Sequence, residues 1–287
     1  MDLKIIAEEI KELLKTKRDE ICLTFEEENH IYEMKDINGI IRNDFPSVST
    51  VIKWFHDEFD SQKKSLEKAR GDLKIQKQLL FEWSEKGRIA TNMGSRVHYN
   101  LEQNLIKLYD NYKEVRQPIF ECEIPEIEKG NKMIIAGDKF IELMHKRGAI
   151  LLDTEIVLGS SEMGYVGQPD KVWLFLHKGK LCIIITDWKS NKPENFEIKP
   201  WTNKMYEPFE KLNNNALGHY TVQLPMYAKL LIDMLKGTKY EDIRLLGCII
   251  VLLKDDETFE EFKVPQYIND IVLNMNMKDY SQKKELN

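Results

Sequence analysis

An excess of positive charge, paired cysteines and a long apolar run are all missing from this 287-residue chain. Its formal charge of -6 excludes a protein that coats nucleic acid by bulk electrostatics, although an acidic protein can still carry a locally basic groove. No apolar run approaches the ~18–20 residues of a membrane-spanning helix, so no membrane partner is expected. Cys22, Cys122, Cys182 and Cys248 are scattered without a C-x-x-C pair, the pattern of reduced core thiols and not of disulfides or a zinc knuckle. No repeat or low-complexity tract is visible, and glycine and proline are sparse at 14 and 9. The opening MDLKIIAEEIKELLKTKRDE reads as an acid-bearing amphipathic helix. A secretory signal needs an apolar core and a mitochondrial presequence is poor in acids, so a cytoplasmic location is expected.

What the chain does have is the composition of a soluble globular protein, 42% hydrophobic and 31% charged. Its length fits one large domain, or one domain with a helical elaboration. CLTFEEENHIYEMKD suggests two short strands around a turn near Glu28 and Asn29, and Ser47 or Ser49 can cap a short helix in FPSVSTVIKWF. Residues 61–89 look helical with Gly71 as a possible break; a further helix over 91–109 carries Val97, Leu101 and Leu105 at four-residue spacing, and another lies near 127–147. Then come three strand-like runs, AILLDTEIVLG, YVGQPDKVWLFL and KLCIIITDWK, the last two joined by a tight turn at HKGK. LCIIIT is continuously apolar, as a strand buried on both faces requires. A helix at 218–236, the strand RLLGCIIVLLK and a helix near 265–276 complete an α/β sandwich around a mixed sheet. Residues 1–90 are expected to form a helical and hairpin elaboration packed on a core of 91–287.

The strongest chemical signal is Gly167-Gln168-Pro169-Asp170 followed by Asp187-Trp188-Lys189. Residues i and i+2 of a strand share a face, so Asp187 and Lys189 project together and Trp188 points the other way. A hairpin brings Asp170 close to Asp187, and two carboxylates and an ammonium converge at one sheet edge. Phosphodiester cleavage needs such a set: carboxylates for a hard divalent cation, and a lysine to orient a water and stabilise developing charge. Gly94, His98 and Glu102 share a helical face, which makes His98 a third candidate ligand and imidazole a reason to consider Mn²⁺ beside Mg²⁺. Gln223 and Tyr227, at i and i+4, offer hydrogen bonds from one face of their helix.

The order G-x-x-x-H, G-x-x-D, D-x-K, Q-x-x-x-Y resembles the RecB-type branch of the PD-(D/E)XK nuclease superfamily, across about residues 46–230. Within that branch, PSVSTVI and the Tyr206-Glu-Pro-Phe209…Asn213-Asn-Asn…Tyr220…Gln223 stretch resemble the mitochondrial genome maintenance exonuclease and related phage and viral exonucleases more than the CRISPR-associated members. The resemblance implies a restriction-endonuclease-like core, with metal held by His98, Asp170, Asp187 and the backbone carbonyl of Trp188. It implies that Lys189 is catalytic, and that Gln223 and Tyr227 support the site or contact DNA. Glu102 and Glu155 are candidates to support the site or tune a second metal, with a solvent-facing strand carboxylate as the competing reading for Glu155. Some relatives carry clustered cysteines that hold an iron–sulfur cluster; only Cys248 follows the catalytic motifs here, so none is expected.

The expected function is therefore a Mg²⁺- or Mn²⁺-dependent DNA exonuclease. Its substrate would be single strands or frayed ends, in replication, recombination or repair, in a host cytoplasm if the source is phage or viral. The rivals are an endonuclease or double-strand resecting exonuclease on the same fold, and a catalytically silent DNA-binding module. Ser61–Leu79 holds six basic residues against two acids, among them Lys63, Lys64, Lys68 and Arg70. This stretch is either a solvated face or a phosphate-facing one. In the loop 190–217, Trp201 and Tyr206 either stack bases or pin the loop to the core, since four lysines there meet four glutamates.

Overall fold

The computed structural model describes residues 2–109, 118–197 and 202–281. The chain begins with α1 (Leu3–Glu20), whose Ile6, Ile10 and Leu14 stripe is buried, then a small antiparallel sheet of β1 (Thr24–Glu26), β2 (Ile31–Lys35) and β3 (Ile41–Arg42). The hairpin is as the sequence predicts; the two-residue β3 is not foreseen. Ser47 caps α2 (Val48–Ile52), its side chain accepting from the Thr50 amide. Next come α3 (Ser61–Lys68) and α4 (Leu73–Leu108), separated at Gly71, which takes a positive φ of 85° that glycine adopts without strain.

The helix expected over 91–109 is the second half of α4, a single 36-residue helix. A cut between residues 90 and 91 therefore falls inside a helix. The pattern hides this because α4 has two regimes. Met93, Val97, Leu101 and Leu105 are buried, while no residue of 73–92 is, so its first turns carry no core-facing stripe to read.

After α5 (Ile124–Lys146) the chain enters a five-stranded mixed sheet of order β10-β9-β8-β7-β4: β4 (Ile150–Thr154), β7 (Lys171–His177), β8 (Lys180–Lys189), β9 (Arg244–Leu253) and β10 (Phe259–Lys263). The β8–β9 pair is parallel, with α6 (Ala216–Met234) in the crossover, and the other pairs are antiparallel. As its composition demands, LCIIIT lies in the central strand. Side chains alternate between two cores. Ile183 and Ile185 pack toward α1, α2, α6 and α7 (Gln266–Asn274), whereas Trp173 and Trp188 pack toward α4 and α5. A last short helix, α8 (Lys278–Ser281), follows. The fold is thus a mixed five-stranded sheet flanked by helices on both faces.

Two of the predicted strands are divided. AILLDTEIVLG splits into β4 and β5 (Leu158–Ser160), and YVGQPDKVWLFL into β6 (Tyr165–Gly167) and β7; β5 and β6 form a separate two-stranded sheet. The breaks fall at Glu155–Val157 and at Gln168–Asp170. Among the described residues, no helix is long and apolar enough to cross a membrane.

Candidate active site

The breaks in those strands build the site. Asp170 precedes β7 in the hairpin that places Lys171 opposite Thr186, so it lies beside the end of β8 where Asp187 and Lys189 emerge. Its Oδ2 accepts the Trp188 amide at 2.9 Å. Lys189 Nζ lies 2.5 Å from Asp187 Oδ2, and the two carboxylates face each other within hydrogen-bonding range. Trp188 turns away, fully buried and edge-on to Phe140 at 5.3 Å.

α4 delivers His98 from the other side. Gly94, one turn earlier, is where the helix meets Ser190, whose Oγ would sit 2.9 Å from an added Cβ. The imidazole then places Nδ1 3.3 Å from Asp170 Oδ2 and Nε2 3.1 Å from the Trp188 carbonyl oxygen. A neutral imidazole has a single N–H, so one nitrogen lone pair always faces an oxygen in this arrangement. Protonation would relieve the conflict, but burial, aided by Lys171 and Lys189, pushes the His98 pKa down to about 4 against the pull of Asp170.

The carboxylates are held in unlike states. Burial opposes charge on Asp170, yet Lys171 and then His98 outweigh it and keep this acid well below the usual carboxylate range. Asp187 goes the other way: burial, and then the charge of Asp170, raise it well above its ordinary value. Burial also works against the Lys189 ammonium, but Asp187 and Asp170 hold its pKa above normal. Two like-charged acids in one enclosed space are expected to titrate apart in this way. The Lys189 ammonium further sits 4.1 Å over the Tyr220 ring, whose hydroxyl donates to Asn191.

Glu155 is not on a strand, contrary to expectation. It sits between β4 and β5 with a φ of 47°, a left-handed backbone unusual for glutamate. Its amide donates to the Asp170 carbonyl at 3.1 Å, and its own carbonyl accepts from Gln168 Nε2 at 2.9 Å. Held so, it offers a carboxylate oxygen within 4.8 Å of ligand atoms of His98 and Asp170. Strain held by such clamping is common where geometry serves a ligand. His98, Glu155 and Asp170 thus form a nitrogen-and-oxygen cluster that could hold a hard or borderline divalent ion, while Asp187, which faces Asp170, is not part of that cluster. Glu102 is nearly buried and accepts the Thr154 hydroxyl at 2.8 Å, which makes it a support one turn below His98.

Gln223 Nε2 donates to Tyr227 Oη at 2.7 Å, and burial, followed by the charge of Asp187, raises the tyrosine pKa. The Tyr227 ring packs on Gly167, where an added Cβ would lie 2.7 Å from Tyr227 Cε1 and 2.7 Å from Val48 Cγ2. That contact accounts for the glycine of the G-x-x-D motif. Gly167→Ala should destabilise the protein by about 1–3 kcal/mol through overpacking. Urea unfolding measures this, and an unchanged midpoint would refute the packing account.

The remaining residues singled out in the sequence lie elsewhere. Lys63, Lys64, Lys68 and Arg70 are exposed on α3 and the turn after it, with Lys64 paired to Glu67 at 3.1 Å and Lys68 6.0 Å from the Trp83 ring. Tyr206 bonds through its hydroxyl to Asp57 and through its amide to the Phe55 carbonyl, while Phe209 is buried against Phe55. The described part of the loop is therefore pinned to the core, and Trp201 lies outside the described residues. Sequence reasoning missed Lys171 and Tyr220 as neighbours of the site. Alternation gave a signal for the first, since Lys171 shares a strand face with the core residue Trp173.

No protein-family model matches this chain, and no curated protein matches it.

Proposed function

We propose that this protein is a divalent-metal-dependent DNA nuclease with a PD-(D/E)XK core of the RecB type, acting as an exonuclease on single strands or frayed ends. The observation that carries the reading is His98, wedged between two acceptor oxygens and facing Asp170 and Glu155, with the Asp187–Lys189 pair alongside. In it, His98, Asp170, Asp187, Glu155 and the Trp188 carbonyl hold the ion. Mg²⁺ or Mn²⁺ bound there would polarise a phosphoryl oxygen and lower the pKa of a coordinated water. Lys189 keeps its ammonium beside that position, where it can orient the water and offset developing negative charge. Gln223 and Tyr227 fix the neighbouring wall through their mutual hydrogen bond.

The direct test is incubation with end-labelled linear and with circular single-stranded DNA, with and without Mg²⁺ or Mn²⁺. Metal-dependent loss of the linear substrate alone supports the exonuclease. Cleavage of circles points to an endonuclease, and DNA binding without cleavage to a catalytically silent module.

The overall charge is negative, so binding to DNA must rest on a local footprint, for which α3 and the turn after it are the candidate. Reversing Lys63, Lys64, Lys68 and Arg70 to glutamate should weaken single-strand binding and flatten the log–log salt dependence by about 0.7 per lost phosphate contact. Mn²⁺ affinity should stay constant. Fluorescence anisotropy across a salt series reads both, and an unchanged slope would make this face a solvated one.

A further inference from the structure

Lys171 is a lysine with nowhere to go. It is 2% exposed, on the Trp188 face of β7, with Nζ 3.4 Å from Asp170 Oδ2 and 4.4 Å from the centre of the Trp188 ring. Its cross-strand neighbours are Thr154 on β4 and Thr186 on β8, neither of which brings charge. Asp170 is the anion it contacts. A buried ammonium held by a single carboxylate is costly unless its charge serves the surroundings.

The distribution of contacts on Asp170 says how it serves. The Trp188 amide, His98 and Lys171 all approach the same oxygen, Oδ2. These contacts fix the carboxylate's rotation, with Asp187 within hydrogen-bonding range of the same group. The charges around this sheet edge are then Asp170, Asp187, Glu155 and Glu102 against Lys171 and Lys189. The balance, taken with every acid ionised, is two net negative charges. One divalent ion cancels that balance, whereas two would leave two uncompensated positive charges.

We infer that Lys171 is a positioning residue that supplies the positive charge a second divalent cation would bring, so that the site takes one divalent ion. The inference rests on the metal-binding reading of the site. A unit charge a few ångströms from a divalent ion in the protein's effective dielectric is worth more than a factor of ten in affinity.

The experiment is a Mn²⁺ titration of the full chain at pH 8 by calorimetry, with free Mn²⁺ followed by electron paramagnetic resonance. Wild type should bind one Mn²⁺ per chain. Lys171→Met, which keeps the stem and removes the charge, should bind Mn²⁺ at least about tenfold more tightly, and Lys171→Arg should stay near wild type. A lysine that only fills space under Trp188 would give equal or weaker binding when replaced. Two Mn²⁺ of comparable affinity in wild type overturn the inference whatever the variants do, as does a Lys171→Met protein that binds no more tightly. Absence of Mn²⁺ binding in wild type, or binding untouched by Asp170→Asn, marks failure of the underlying metal reading instead.

Discussion

Lys189→Met is expected to lower DNA cleavage by about 10²–10⁴-fold, the range for removing a positioned proton-transfer or charge-stabilising group. Methionine keeps the stem that lies across Tyr220 and removes only the ammonium. Lys189 pairs with Asp187 at 2.5 Å, so in the free protein it is one more cation the site already accommodates. Its loss should therefore raise Mn²⁺ affinity, by the same charge argument as for Lys171, and leave DNA affinity largely intact. The deficit should appear in kcat with little change in KM, because the ammonium acts on charge that develops in the transition state. Single-turnover cleavage of end-labelled DNA, paired with Mn²⁺ titration, separates the two effects. Near wild-type turnover would remove Lys189 from the chemistry, and loss of Mn²⁺ binding would make it a structural partner of Asp187.

Much of this arrangement was legible in the sequence, for physical reasons that can be named. A fully apolar strand ending in D-W-K fixes which two side chains share a face, because the period of a strand is two. The short turn at HKGK forces the antiparallel pairing that brings Asp170 alongside. His98 falls one position from the Val97 stripe, so it must look past the edge of the core that stripe anchors. What could not be read depends on contacts between distant segments. Glu155 reaches the site only because its backbone turns left-handed at a break between two sheets, and no local pattern announces that turn. The first turns of α4 bury nothing, so they carry no period to detect. β10 is an edge strand with half-exposed acids in FEEFK, and its charges mask it. Lys171 was hidden by its chemistry: a lysine in a strand is assigned to solvent by default, and only the two-sided burial of β7 contradicts that.

Asp170→Asn should produce the largest loss of metal together with a distinct loss of stability. Disturbing a group that only orients a metal ligand costs 10–100-fold in affinity, so neutralising a direct ligand should cost at least about 100-fold in Mn²⁺ binding. Cleavage should fall with it at any practical metal concentration. The stability effect has a separate cause. Asparagine still accepts the Trp188 amide, but it leaves the Lys171 ammonium, 2% exposed, without its anion. Breaking a buried pair from one side costs about 3–5 kcal/mol, while replacing both members by uncharged groups is often nearly neutral. Urea unfolding of the metal-free proteins should thus show Asp170→Asn destabilised by about 3 kcal/mol. Most of that loss should be recovered when Lys171→Met is added. Metal binding should recover only in part in the double variant, by about the tenfold that removing the Lys171 charge contributes, because the ligand carboxylate is still missing. If the second substitution fails to restore stability, the ammonium is not the source of the penalty, and Asp170 must be holding the hairpin through its bonds to β8.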